Sequence, residues 1–204
     1  MVVTGIYYAL TLTALGAGLG WLFSPWCGVG FYVLAAFCLW FFRDPEREIP
    51  SGPFAVSPAD GKVVLIRRKP ESTQVCIFLN VFNVHVNRAP IAGKIVEVEY
   101  KKGKFLVASK EEASYENEMN TITIDGDHTV IRFSQIAGLI ARRIVCYKKP
   151  GDFVTAGERV GLIKFGSRVD MTLGPEWEIV VKEGQPVAGG STIIARRKGQ
   201  EQSA

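Results

Sequence analysis

Apolar and polar positions divide the chain into two regimes. Residues 6–42 carry no charged side chain. Within that stretch 6–23 is about long enough to cross a bilayer, 29–42 is shorter, and Ser24-Pro25-Trp26-Cys27-Gly28 interrupts the run. The pattern predicts two short helices in a hairpin. A signal peptide fits less well, because no basic stretch precedes the apolar core and no small-residue cleavage site follows it. Tyr7, Tyr8, Trp21, Trp26 and Trp40 stand at interface depths. The first cations, Arg43 and Arg47, follow the second segment directly, and the positive-inside rule then puts the rest of the chain on the cytoplasmic side of a cell membrane.

From Pro50 onward the texture changes to short apolar runs punctuated by Gly, Pro and Asp. Residues 63–67, 75–80, 95–100, 120–124, 130–134, 144–147 and 179–182 read as strands. Residues 81–88 alternate, so that Val84 and Val86 would face one way and Asn83, His85 and Asn87 the other. Helix is scarce here: 134–142 is the one candidate, with Ser134 as its cap, and the polar 110–117 fits helix or loop.

Two internal echoes refine the fold. Gly151-x-x-Val154-x-x-Gly157-x-x-Val160 returns as Gly184-x-x-Val187-x-x-Gly190-x-x-Ile193, and Pro58-x-x-Gly61-Lys62-Val63-Val64 returns as Pro90-x-x-Gly93-Lys94-Ile95-Val96. Glycine-punctuated strand pairs of this kind resemble the barrel-sandwich of biotinyl and lipoyl carrier domains, although neither copy has the carrier's modifiable lysine. Two copies are too few for a solenoid. The expectation is a mainly β, compact sandwich or barrel-sandwich domain with quasi-repeats, residues 43–204, behind a hydrophobic anchor, residues 1–42.

Composition adds mostly exclusions. A net charge of +4 spread over scattered basic pairs argues against a nucleic-acid binder, while a few of those cations could rest on anionic head groups. The four cysteines lack metal-ligand or disulfide spacing, so no metal is expected and reduced thiols are.

Three places could carry chemistry. Gly166-Ser167 joins two strand-like runs. It reads either as a bulge or as a strained peptide in which the Ser167 hydroxyl attacks the Gly166 carbonyl, shifts the amide to an ester and, by elimination, breaks the chain. His85 is either a hydrogen-bonded strand residue or a proton carrier; His128, in Asp125-Gly126-Asp127-His128, reads as a turn residue. Asp60, in Ser57-Pro58-Ala59-Asp60-Gly61, reads as a turn or as an orienting carboxylate. Together Asp60, His85 and Ser167 supply the carboxylate, imidazole and hydroxyl that nucleophile activation needs.

In that order, Phe42-Arg43-Asp44-Pro45 behind an anchor, Pro58-Ala59-Asp60-Gly61, Asn83-Val84-His85 and Gly166-Ser167-Arg168 resemble the short, membrane-hairpin form of the phosphatidylserine decarboxylases, over almost the whole chain. The resemblance implies self-cleavage into 1–166 and 167–204, which stay together as a heterodimer and could dimerise further. It also implies conversion of Ser167 into a covalent pyruvoyl cofactor, help from Asp60 and His85 in cleavage, and a second role for His85 in decarboxylation. Long-form members have aspartate where Asn83 stands, a second histidine at Arg88 and threonine at Arg168. The implied substrate is phosphatidylserine in the bilayer and the product phosphatidylethanolamine, with Arg43, Lys164 or Arg168 available for the phosphate. Two rivals remain: a decarboxylase of another serine-headed lipid such as archaetidylserine, and a non-enzymatic, membrane-anchored adaptor of the lipoyl-like type.

Overall fold

The computed structural model describes residues 2–103, 116–138, 143–164 and 167–199. The chain divides into two compact units, Met1–Glu46 and Arg47–Ala204. In the first, α1 (Val3–Leu22) and α2 (Pro25–Phe41) form the expected hairpin; Pro25 opens α2, where its missing N–H costs nothing. Small residues line the seam. Gly5, Ala9 and Gly16 are buried on α1, as are Gly28 and Ala35 on α2, and a Cβ at Gly28 would lie 2.5 Å from the Gly16 carbonyl oxygen. Such close backbone approach is how apolar helices associate where burial alone gives no drive. Only α1, at 20 residues, is long and apolar enough to cross a membrane among the described helices.

The second unit is mainly β. Its strands are β1 (Phe54–Val56), β2 (Gly61–Lys69), β3 (Ser72–Leu79), β4 (Val86–Arg88), β5 (Gly93–Lys101), β6 (Met119–Gly126), β7 (Thr129–Ile136), β8 (Ile144–Cys146), β9 (Phe153–Val154), β10 (Arg159–Ile163), β11 (Ser167–Leu173), β12 (Trp177–Ile179), β13 (Pro186–Val187) and β14 (Ile193–Arg197). They form one eight-stranded sheet, β13-β2-β3-β11-β7-β6-β5-β9, and two three-stranded sheets, β1-β14-β12 and β4-β10-β8. The core between them holds Val63, Ile77, Ile95, Ile122, Ile131, Phe133, Val169 and Met171, all fully buried.

Three local expectations give way. Residues 81–88 are not one strand: 80–83 make a turn, because the Asn83 carboxamide accepts the Asn80 N–H and the Asn80 carboxamide accepts the Phe82 N–H, and only Val86–Arg88 pairs. The strand expected at 179–182 ends at Ile179, ahead of a turn at Gly184 with φ +85°. Ser134 caps no helix, since 134–136 complete β7; residues 139–142, like 104–115, lie outside the described residues.

The echoes mark a genuine structural duplication. In sheet order β13, β2, β3 and β11 mirror β9, β5, β6 and β7 about the β11–β7 pair. Both β2 and β5 carry a bulge at the same place, Val63/Leu65 and Ile95/Glu97. The two copies also exchange backbone bonds reciprocally: Val56 N–H to Pro90 O and Arg88 N–H to Pro58 O, each 2.9 Å. Gly157 and Gly190, at equivalent positions, both have positive φ, +76° and +82°, and donate to Ala89 O and Ser57 O over 2.8 Å. One lobe, β4 to β10, is continuous. The other, β1 to β3 with β11 to β14, is split, and the continuous lobe is inserted between Leu79 and Ser167. Two links therefore join the lobes, at 80–85 and at 164–166.

Candidate active site

Both links lead to chemistry. His85 ends the first, and Ser167 follows the second; Gly166 lies outside the described residues. Pairing joins the residues that flank the links: Ser167 lies opposite Leu79 at the ends of β11 and β3, and the Ile163 N–H donates to the His85 carbonyl over 3.2 Å, just ahead of β4 and at the end of β10. His85 and Ser167 are both buried, at 2% and 0% exposure. His85 Nδ1 sits 2.9 Å from the Asn83 carbonyl oxygen. A carbonyl can only accept, so in the neutral ring Nδ1 carries the proton and Nε2 holds the basic lone pair.

The Ser167 hydroxyl has no hydrogen-bond partner among the described residues. Its counterpart in the other lobe gives the comparison. Thr129 begins β7 opposite Gly126 as Ser167 begins β11 opposite Leu79. The Thr129 hydroxyl, however, donates to Glu176 Oε1 over 2.5 Å and accepts from Trp177 Nε1 over 2.8 Å. Buried hydroxyls are normally satisfied in this way. In the continuous lobe a tight turn, Asp127-His128, closes that corner, and His128 is exposed there with φ +51°. The split lobe has the two links instead, and its serine stays unpartnered.

Asp60 sits just ahead of β2, at the same end of the sheet. With only β3 between β2 and β11, its backbone is about 10 Å from Ser167 by strand spacing. Its carboxylate accepts from Arg47 Nη2, at 2.8 Å to Oδ2, and from the Gly189 N–H, at 2.7 Å to Oδ1. So His85 lies beside Ile163 at one end of the links and Ser167 beside Leu79 at the other, while the Asp60 carboxylate binds Arg47 and the Gly189 N–H.

Of the cations considered for a phosphate, Arg168 is committed elsewhere. It is 1% exposed and binds Asp170 through Nε and Nη2, at 2.5 and 3.0 Å, with Nη2 3.0 Å from Cys76 Sγ. Burial alone would lower its pKa, but the Asp170 carboxylate outweighs that and raises it. Arg43 lies over the Trp40 ring, 4.2 Å from its centroid. Pattern reading also passed over Arg47, Asp170 and a buried amide chain, Asn120, Gln135 and Asn87. The amide chain joins three strands and Arg47 reaches Asp60 from outside any strand, so neither leaves a local signal, whereas Arg168 and Asp170 stand two apart on β11. Among the described residues no cluster of metal-ligating side chains occurs.

Comparison with known proteins resolves the family. The family model for phosphatidylserine decarboxylase matches residues 34–195, a span that takes in Asp60, His85 and Ser167. The chain belongs to the phosphatidylserine decarboxylase family. It is 61% identical over 197 residues to a phosphatidylserine decarboxylase proenzyme of Solibacter usitatus (strain Ellin6076), covering 97% of each chain. A second such proenzyme, of Magnetococcus marinus, is 48% identical over 179 residues, covering 83% of this chain and 82% of the relative. Membership over nearly the full length leaves the carrier-like adaptor without support.

Proposed function

We propose that this chain is a self-cleaving decarboxylase that converts phosphatidylserine to phosphatidylethanolamine at a membrane. One observation carries the reading of the site: the buried, unpartnered hydroxyl of Ser167 at the junction of the lobes, where the equivalent Thr129 is fully bonded. A hydroxyl left without a partner in a dry site is available to attack the peptide ahead of it. His85 Nε2 is the base that takes its proton. Asp60 assists through the turns it clamps together with Arg47, keeping the end of β2 in place beside β3.

Residue 167 also fits the family's cofactor, because its side chain is buried and has no hydrogen-bond partner among the described residues. A pyruvoyl group made there would supply a ketone for the head-group amine and an adjoining carbonyl to take up the electron pair left when carbon dioxide departs. His85 then returns a proton to the carbon that lost the carboxylate. Strands β11 to β14 would form the small subunit and the rest the large one. The membrane reading rests on α1 and on Arg43 and Arg47 behind α2, which favour a cytoplasmic face for the β unit.

The test is Ser167→Ala. Wild-type protein is expected as two fragments on a denaturing gel, with the 167–204 fragment lighter than its sequence by the mass of ammonia. Ser167→Ala should remain one chain and release no carbon dioxide from phosphatidylserine. Decarboxylation by purified, uncleaved Ser167→Ala would overturn the proposal.

A further inference from the structure

Phe82 stands out into water on the first link. It is 67% exposed, while Leu79 before it and Val84 after it are buried. The turn that carries it is tied by its own polar groups. The Asn80 N–H donates to Asn83 Oδ1 over 2.9 Å, the Phe82 N–H to Asn80 Oδ1 over 2.8 Å, and the Asn83 N–H to the Asn80 carbonyl over 3.1 Å. None of these bonds uses the ring, so the turn does not need a phenylalanine in order to form. A turn closed three times also holds its tip in place, and the ring stays outside the core that Leu79 and Val84 enter.

A single exposed apolar side chain is common on a protein surface. Contrast and place set this one apart. The corresponding corner of the continuous lobe is closed by Asp127 and His128, whose side chains are 80% and 88% exposed, as suits a turn in water. The split lobe has a phenylalanine on its link instead. Along the chain it lies between residues bound to both members of the candidate site: Leu79 pairs with Ser167, and the Asn83 carbonyl holds His85 Nδ1 over 2.9 Å. Where β10 and β8 reach the links, Ile163 pairs with Ile144, and the next residues outward are both cations, Lys164 and the exposed Arg143. The Lys164 N–H donates to the Arg143 carbonyl over 3.1 Å. An exposed aromatic ring on one link and cations at the start of the other make the composition of a surface that lies at an anionic bilayer boundary.

We propose that Phe82 is a wedge that enters the head-group boundary of the bilayer and brings the links to the lipid that is to be decarboxylated. The inference rests on the lipid-decarboxylase reading above and adds the surface by which the β unit meets its substrate. A bilayer lipid offers its head group only at the membrane surface, so an apolar element on the link itself raises the time the site spends there. The turn is already closed and the ring has two side-chain torsions, so little freedom is lost on insertion. Moving such a ring out of water is worth about tenfold or more in a binding constant.

The test uses the full chain in phosphatidylcholine nanodiscs, as wild type, Phe82→Ser, Phe82→Trp and Phe153→Ser. Phe153 is a control, 75% exposed on β9 at the edge of the large sheet and on neither link. Two substrates separate docking from chemistry: long-chain phosphatidylserine within the disc, and dihexanoyl phosphatidylserine supplied as a monomer in water. Phe82→Ser should lower the ratio of disc to monomer activity about tenfold, through a higher KM in surface concentration. Phe153→Ser should keep the wild-type ratio. Phe82→Trp should keep it too, and the emission it adds to the wild-type spectrum should be quenched in discs whose acyl chains are brominated. An unchanged ratio in Phe82→Ser, an equal fall in Phe153→Ser, or no quenching of the added emission would each overturn the inference. So would a Phe82→Ser chain that fails to cleave or loses both activities alike, which would make Phe82 a structural residue. A wild type that releases no carbon dioxide from either substrate would remove the decarboxylase reading beneath it, and the quenching would still decide whether residue 82 meets the bilayer.

Discussion

The residue that follows Ser167 shows how a buried charge can be tolerated. Arg168 and Asp170 lie on one face of β11 and neutralise each other at 1% and 3% side-chain exposure. Removing one partner leaves the other charged in a dry site, which typically costs 3–5 kcal/mol. Arg168→Met in an uncleavable Ser167→Ala chain should therefore lower urea stability by about that amount. Arg168→Met combined with Asp170→Leu should recover much of it, and no recovery would mean that the pair is not the cause. Cys76 borders the same pair. Burial first, and then the Asp170 charge, push its thiol up to about 12 from 9.0. The folded thiol stays neutral where the unfolded one ionises, so its contribution is fully present below pH 9 and is lost as pH rises toward 12. Unfolding midpoints at about pH 8 and about pH 10.5 should show a larger alkaline loss for wild type than for Cys76→Ser, which cannot ionise. Equal losses would assign the alkaline sensitivity to other groups.

Among the elements, the glycine turns of the duplicated lobes separate backbone strain from crowding. Gly151 has φ +97° with open space around it, whereas at Gly157, φ +76°, an added Cβ would collide with the Ile49 side chain. Gly151→Ala should carry only the left-handed backbone penalty, about 1–2 kcal/mol. Gly157→Ala adds a clash in a close-packed place and should melt clearly lower. The reverse order would show that Ile49 yields freely. The α hairpin follows a similar logic through Gly16 and Gly28, where the absent side chains set how closely the helices approach.

For the molecule as a whole, the insertion of one lobe into the other decides what cleavage does. Strand β11 lies between β3 and β7, β13 pairs with β2, and β14 lies between β1 and β12. Breaking the second link would free one backbone bond and leave all of these ladders in place. The fragments 1–166 and 167–204 are expected to co-elute from a sizing column in detergent and to separate only in denaturant. A small fragment that elutes alone from the native protein would refute this arrangement. The same insertion accounts for the place of the proposed site: the two links, which end at His85 and before Ser167, stand where the duplicated pattern has a tight turn in the other lobe.

Much of this was written in local sequence. The charge-free stretch dictated two apolar helices, alternation and turn residues dictated the longer strands, and the paired glycine motifs announced a duplication, because each depends only on near neighbours. The ordered motifs around Asp60, His85 and Ser167 pointed to the family. What periodicity could not contain was pairing across distance: Leu79 opposite Ser167, Gln135 reaching Asn87 over Gly161, Arg168 reaching Cys76, and Asp60 turned to Arg47. Those depend on register and burial after the lobes close on each other. Only there does one hydroxyl lose its partners while its counterpart, Thr129, keeps both.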